Sequence, residues 1–119
     1  MTLKPGMETE YERRHNHNPI WPELQSVLFK AGVRNYSIFL HIDKLQLFAY
    51  AKIEDEEQWN AIAQTSICRE WWAHMAELME TNEDTSPQAA DCTEVFHLTT
   101  VLLVPIEISN SKRYSYQNN

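Results

Sequence analysis

The sequence predicts an α+β fold of the ferredoxin-like type, in which a split βαβ sheet carries its helices on one face. Two segments with alternating apolar residues, 35–41 and 45–53, are separated by three residues, which is typical of a β-hairpin. A helical pattern precedes this pair at residues 7–31, and another follows it from Asp55. A short strand-like segment lies near each end of this series, so the elements follow the order of a split βαβ arrangement.

The first strand of this sheet is predicted to be truncated. Residues 1–6 have the pattern of a strand end followed by a turn, and they are too few for a full strand. A helix is then expected from Met7 to a break at residues 16–18, because the prolines that follow lack an N–H donor and crowd the preceding turn. A second helix is expected from Pro19, with the preceding asparagine as its cap, and it ends at Gly32.

The two alternating segments differ in the character of their faces. The first places Tyr36, Ile38 and Leu40 on one face, whereas the second carries apolar residues on both faces. Apolar groups on both faces are typical of an interior strand with a cover on each side. We expect a second subunit to supply the outer cover, in an assembly of the dimeric α+β barrel type.

The folded domain is predicted to span residues 1–98 and to end with a short strand at 93–98. Residues 99–119 form a C-terminal extension that is apolar and β-branched over 101–108 and polar after it. We expect 101–108 to add a strand, paired with the partner subunit's sheet, and the remainder to be a frayed tail. Removing the extension should then weaken the dimer.

The charge balance argues against several classes of partner. The chain has 10 Lys and Arg against 17 Asp and Glu, a net charge of −7. Nucleic acid and anionic membranes reward clustered cations, so neither is expected as a partner. The sequence has no run of 18 apolar residues and no signal-peptide pattern. Its two cysteines lack metal-ligand spacing and favour a reduced, cytoplasmic location.

The segment at the helix break is the first candidate site. Tyr11 and His15 are four residues apart, so a helix places both on one face. A histidine beside a phenol is suited to proton transfer at neutral pH. His17 forms a His-x-His pair with His15, but no third ligand lies nearby in sequence, and no metal site is expected.

Trp71 and Trp72 form the second candidate site. Neighbours on a helix point about 100° apart, so one indole can pack in the core while the other reaches a pocket wall. Aromatic faces suit the C–H-rich faces of sugars, and the indole N–H can donate to a hydroxyl. The alternative is that both tryptophans only fill the core or an interface. Tyr36, whose hydroxyl could bind a polar ligand, has the same structural alternative.

Seven short blocks in this order resemble the L-rhamnose mutarotase family over about residues 1–98: YERRH at 11–15, PIWPEL at 19–24, NYSI at 35–38, LFA at 47–49, WWAHM at 71–75, NEDTSP at 82–87 and EVF at 94–96. The resemblance implies a cytoplasmic, cofactor-free, homodimeric isomerase that interconverts the α and β anomers of L-rhamnose. It also implies site roles, with one proton donor and four residues that hold the sugar: His15 as the donor, and Tyr11, Tyr36, Trp71 and Trp72 around the substrate.

Three departures from the family pattern bear on these expectations. His15 keeps the family's distance to Tyr11, whereas His17 keeps the distance to Trp21, as if two residues were inserted at the break. We prefer His15 because it shares a helical face with the tyrosine, and His17 stays the rival. The family's first strand begins upstream of Met1, so neighbouring strands would lose ladder partners unless another segment compensates. The extension after residue 98 has no counterpart.

Two other interpretations compete with a mutarotase. The chain could be a non-catalytic sugar-binding module that kept the pocket and lost activity. It could also be another enzyme of the dimeric α+β barrel type, such as a cofactor-independent monooxygenase, although this rests on fold analogy alone. The base that partners the histidine stays open, since a tyrosine, a water molecule or a second histidine would each serve.

Overall fold

The structure is a computed structural model that describes residues 1–16 and 21–99, and the backbone of residues 113–116. Within these residues it contains four α-helices and four β-strands. In chain order they are α1 Glu8–Asn16, α2 Pro22–Lys30, β1 Val33–His41, β2 Gln46–Ile53, α3 Glu56–Ala61, α4 Ser66–Met75, β3 Ala90–Cys92 and β4 Arg113–Tyr116. Short 3-10 turns follow α3 and α4, at Ile62–Gln64 and Ala76–Leu78.

The strands form one antiparallel sheet in the order β1-β2-β4-β3. The predicted hairpin is present, with Tyr36 opposite Ala51 and Leu40 opposite Leu47. Residues 1–3 lie between the start of β2 and the end of the α4 region, through bridges from Thr2 to Gln46 and from Leu3 to Met79. That is the central place of the first strand in a split βαβ sheet, and the predicted ferredoxin-like α+β class is confirmed.

The C-terminal segment completes the edge of β2 that residues 1–3 leave open. Met1 and Leu47 exchange backbone hydrogen bonds of 3.0 and 2.7 Å, and the next position along β2, Phe48, is opposite Tyr116. Strand β4 therefore lies within the stretch that was expected to fray, and it pairs within the same chain. The strand predicted at 101–108 lies outside the described residues.

Two predicted elements differ from the structure. Helix α2 begins at Pro22 and not at Pro19, because Trp21, at φ −44 and ψ 132, has a non-helical backbone; it occupies the N-cap position without a side-chain hydrogen bond. Had the helix begun three residues earlier, the second proline would have removed one of its first hydrogen bonds, whereas in the first turn the missing N–H costs little. Residues 17–20, which include the predicted Asn18 cap, lie outside the described part of the chain.

The prediction of a strand at 93–98 is also wrong. Residues 93–98 have no regular secondary structure, and the strand lies upstream, at Ala90–Cys92. The apolar side chains in this stretch, which carried the prediction, are exposed: Val95 by 93%, Phe96 by 79% and Leu98 by 73%. A short run of apolar residues predicts that the segment is buried, but it does not indicate whether it packs against its own chain or against another.

The core lies between the inner face of the sheet and the helices. One face of β2 is buried, through the alternate residues Leu47, Ala49, Ala51 and Ile53. Helices α1, α2 and α4 bury residues such as Tyr11, Leu24 and Met75 on the same side. Gly32 ends the helical segment before β1 at φ +91, where an added Cβ would lie 3.1 Å from the Glu54 side chain.

In the part of the chain that the structure describes, no helix has both the length and the apolar character needed to cross a membrane.

Candidate active site

A cavity of about 1120 Å³ lies between the helices and the inner face of the sheet. Its floor is the apolar face of the hairpin, with Ala49 and Ala51 of β2 beneath it. Small side chains at these two positions leave room for a ligand above the sheet. The five side chains singled out from the sequence all line this cavity, namely Tyr11, His15, Tyr36, Trp71 and Trp72.

Helix α1 brings the phenol and the imidazole together as their spacing predicts. The ring centroids of Tyr11 and His15 are 4.5 Å apart, with an angle of 36° between the planes. The imidazole Nδ1 lies 2.8 Å from the backbone carbonyl oxygen of Tyr11, one turn earlier in the helix. Since a carbonyl only accepts, Nδ1 carries the proton and Nε2 is left to exchange one with a ligand.

Burial controls the protonation of the three titratable rings. It lowers the pKa of His15 below its ordinary value, against the opposing effect of the hydrogen bond to the Tyr11 carbonyl. It raises the pKa of Tyr11, with the nearby Tyr36 phenol adding to the effect. It also raises the pKa of Tyr36 to about 12. At neutral pH both phenols are therefore neutral and able to donate a hydrogen bond, and the imidazole is mainly neutral.

The tryptophan pair divides its roles as the helix geometry requires. Trp71 is only 9% exposed and its ring centroid lies 5.3 Å from that of His15, edge to face. Trp72 is half-buried beside the core. Trp21, which the sequence did not single out as a site residue, packs edge to face against Trp71 at 5.5 Å. Trp71, whose indole contacts the His15 imidazole, is thus also packed against Trp21.

Arg14 fixes helix α1 against the end of α4. Its guanidinium donates to the backbone oxygen of His74 at 2.6 Å and pairs with the Glu77 carboxylate. It also contacts Glu10 within α1 at 3.3 Å. The side chain of Arg14 is only 12% exposed, whereas that of Glu77 is 68% exposed, so water screens the ion pair from the Glu77 side. The contacts of Arg14 keep the face that carries Tyr11 and His15 turned toward Trp71.

Three further residues on the cavity wall were not singled out from the sequence. Trp59 of α3 lines the cavity and packs on Tyr36, and its only sequence signal was its place in an apolar helical stripe. Glu12 lines the cavity at the α1 side. Cys68 lies beneath it with its pKa raised by burial to about 11, so the thiol is neutral and a poor nucleophile.

Metal ligands are not clustered in the described part of the chain, where no group of three or more His, Cys, Asp or Glu side chains could hold a metal ion. His17, the rival proton donor, lies outside the described residues. His74 lies behind the tryptophans, with its ring centroid 5.4 Å from that of Trp21. Cys68 is a free cysteine.

Known proteins resemble this chain over most of its length. A family model described as L-rhamnose mutarotase matches residues 1–98. The L-rhamnose mutarotase of Opitutus terrae is 56% identical over 98 residues, which are 82% of this chain and 92% of that protein. The one from Tolumonas auensis is 52% identical with the same coverage.

A solved structure is similar as well. The crystal structure of an L-rhamnose mutarotase from Formosa agariphila matches with a TM-score of 0.73 and 35% sequence identity. The match covers 83% of this chain and 93% of that one.

Proposed function

The chain belongs to the L-rhamnose mutarotase family, a family of isomerases, and from this premise we propose that its cavity interconverts the α and β anomers of L-rhamnose by opening and reclosing the pyranose ring. The observation that carries the proposal is the His15 imidazole, in contact with Tyr11 on one side and Trp71 on the other within a cavity of about 1120 Å³.

The reaction needs two proton transfers and no net change in atoms. The anomeric hydroxyl loses its proton, the C1–O5 bond breaks as the ring oxygen gains a proton, and an aldehyde forms at C1. Rotation about C1–C2 exposes the other face of the aldehyde, and the reverse transfers close the ring as the opposite anomer. A positioned acid or base accelerates such steps by about 10²- to 10⁴-fold.

We assign the proton donor to His15. With Nδ1 held by the Tyr11 carbonyl, Nε2 is the nitrogen that takes up a proton and delivers it to the ring oxygen. Burial that lowers the imidazole pKa makes the transient imidazolium a stronger acid. The neutral Nε2 can take the anomeric proton directly, or a water molecule can relay that proton to it. On either route Nε2 then passes the proton to the ring oxygen, and the imidazole is neutral again at the end of the cycle.

The other four residues hold the sugar. The phenols of Tyr11 and Tyr36 stay protonated at neutral pH, so each can donate a hydrogen bond to a sugar hydroxyl. The indoles of Trp71 and Trp72 offer flat faces to the C–H-rich face of the pyranose. Together they would hold C1 and the ring oxygen near the imidazole, which adds the gain from orientation.

Magnetisation transfer between the two anomers of L-rhamnose tests the proposal. After saturation of one anomeric proton, the other should lose intensity faster with the protein than without it. His15→Ala should reduce this acceleration by about 10²- to 10⁴-fold. His17→Ala is the matched control and should retain it. Loss of the acceleration in His17→Ala and its retention in His15→Ala would assign the donor role to His17. A folded wild-type protein that does not accelerate the exchange would refute the proposed mutarotase activity.

We also propose that the protein is a cytoplasmic homodimer. The support for a second copy of this chain is the exposed apolar stretch that includes Val95, Phe96 and Leu98, together with Phe39 on the outer face of β1, which is 61% exposed. The support for a reducing compartment is the low cysteine count of 2, because a small secreted domain would usually carry more disulfide bridges.

A further inference from the structure

We infer that Trp59 is a positioning residue for Tyr36: its indole holds the phenol in the orientation that the sugar requires. The inference rests on the proposed function and adds a residue to it. The ring centroids of Trp59 and Tyr36 are 6.1 Å apart, and the planes are inclined by 33°. Both side chains line the cavity.

Tyr36 needs such a support because its own strand does not enclose it. Strand β1 lies at the end of the described sheet, and 45% of the tyrosine's surface is exposed. The tyrosine lines the cavity, and desolvation of its hydroxyl raises the pKa of that group to about 12. A partly exposed side chain with two rotatable bonds loses conformational entropy when it is fixed to bind a ligand. Packing on an indole removes much of this freedom before the ligand arrives.

The indole itself is held in place from the other side. Helix α3 has six residues and is capped by Asp55, whose side chain accepts a hydrogen bond of 2.9 Å from the backbone N–H of Gln58. The backbone N–H of Trp59 bonds to the Asp55 carbonyl oxygen at 3.1 Å. The indole is partly buried against the core. The capped start of α3 and the core therefore hold the Trp59 indole, and the indole in turn packs on the Tyr36 phenol at the cavity.

The contact predicts a specific pattern in kinetics. If Trp59 acts only through Tyr36, its removal matters only while the Tyr36 hydroxyl is present. Trp59→Ala should lower kcat/KM by about 10- to 100-fold, the scale expected when a contact group is misplaced by about 1 Å. In the Tyr36→Phe background, which keeps the ring and removes the hydroxyl, Trp59→Ala should have no further effect.

The experiment is a double-mutant cycle with kcat and KM measured separately by anomer exchange over a range of L-rhamnose concentrations. The expected result is that Trp59→Ala and the double variant match Tyr36→Phe within about threefold, the accuracy of such cycles. Trp59→Phe keeps an aromatic ring and should restore most of kcat/KM. Phe29→Ala is the control, since it removes an exposed aromatic ring that does not line the cavity, and it should leave both constants unchanged.

Two results would overturn the inference. Losses that multiply in the double variant would show that the indole acts independently of the tyrosine, for example by touching the sugar itself. Full activity in Trp59→Ala would show that the packing has no role. If Trp59→Ala does not fold, as judged by thermal unfolding, Trp59→Leu keeps the apolar volume and replaces it in the cycle.

Failure of the mutarotase proposal is distinguishable from failure of this inference. A wild-type protein that does not exchange the anomers refutes the former. The same variants are then compared by calorimetric titration with L-rhamnose, where the weakening of binding by Trp59→Ala should again vanish in the Tyr36→Phe background. If the two substitutions weaken L-rhamnose binding additively, or if all variants give equal heats, the positioning role of Trp59 is refuted.

Discussion

The imidazole of His15 has one nitrogen committed to the protein and one left for chemistry. The carbonyl of Tyr11 accepts from Nδ1 at 2.8 Å, so the tautomer follows from helix geometry and needs no additional residue. Burial disfavours the charged ring and lowers its pKa. The resting form at neutral pH is therefore neutral, with an Nε2 that can take up a proton first and give it back later.

This protonation state predicts the pH dependence of catalysis. A neutral resting imidazole is lost when the pH falls through its pKa, which lies below the ordinary value of 6.5. The rate of anomer exchange should therefore be constant near neutrality and fall in acid, with a midpoint below pH 6.5. Exchange rates measured by NMR between pH 5 and 8, corrected for the protein-free reaction, check this. A rate that rises steadily from pH 8 to pH 5 would contradict it.

At the scale of elements, β4 is the segment whose role is least apparent from its composition. It lies between β2 and β3, so its backbone groups pair on both sides. Its partners on β2 include Ala49 and Ala51, which form the cavity floor. The C-terminal segment thereby supplies ladder partners to the strand beneath the site.

A proline in this strand should destabilise the protein. Ser115→Pro removes the N–H that an inner strand donates to its ladder and leaves an acceptor on a neighbouring strand without its partner, at a cost of about 0.5–1.5 kcal/mol for the lost hydrogen bond. Ser115→Ala is the matched control, since it keeps the backbone donor. Urea unfolding followed by tryptophan fluorescence should give a lower midpoint for the proline variant alone. Identical midpoints for the two variants would mean that β4 does not contribute to the sheet.

At the scale of the whole molecule, exposed apolar side chains indicate a surface for a second copy of the chain. Phe96 is 79% exposed in a stretch that has no regular secondary structure. Sedimentation velocity should show a dimer for the wild type, and Phe96→Asp should shift it toward monomer because a carboxylate is costly to bury in an apolar interface. Phe29→Asp, at a residue of α2 that is 65% exposed, is the control. A dimer unaffected by Phe96→Asp would place the interface elsewhere.

The sequence by itself determined the features that depend on nearby residues. Alternation predicted the hairpin, and four-residue spacing predicted the shared face of Tyr11 and His15, because both are periodicities of the backbone. Side-chain chemistry also marked Trp71, Trp72 and Tyr36 as candidates, and the family resemblance added their expected roles; the fold brings all three into one cavity with that pair.

Only the tertiary structure decided which distant segments meet. The packing of Trp59 on Tyr36 and the register of Tyr116 opposite Phe48 join residues far apart in the chain. The start of α2 at Pro22 and the absence of a strand at 93–98 also went against local patterns. The physical reason is that apolar and β-branched residues favour burial and an extended backbone without specifying which segment they pack against. That segment is selected by the strand register and the core packing of the whole fold, which must be satisfied at the same time.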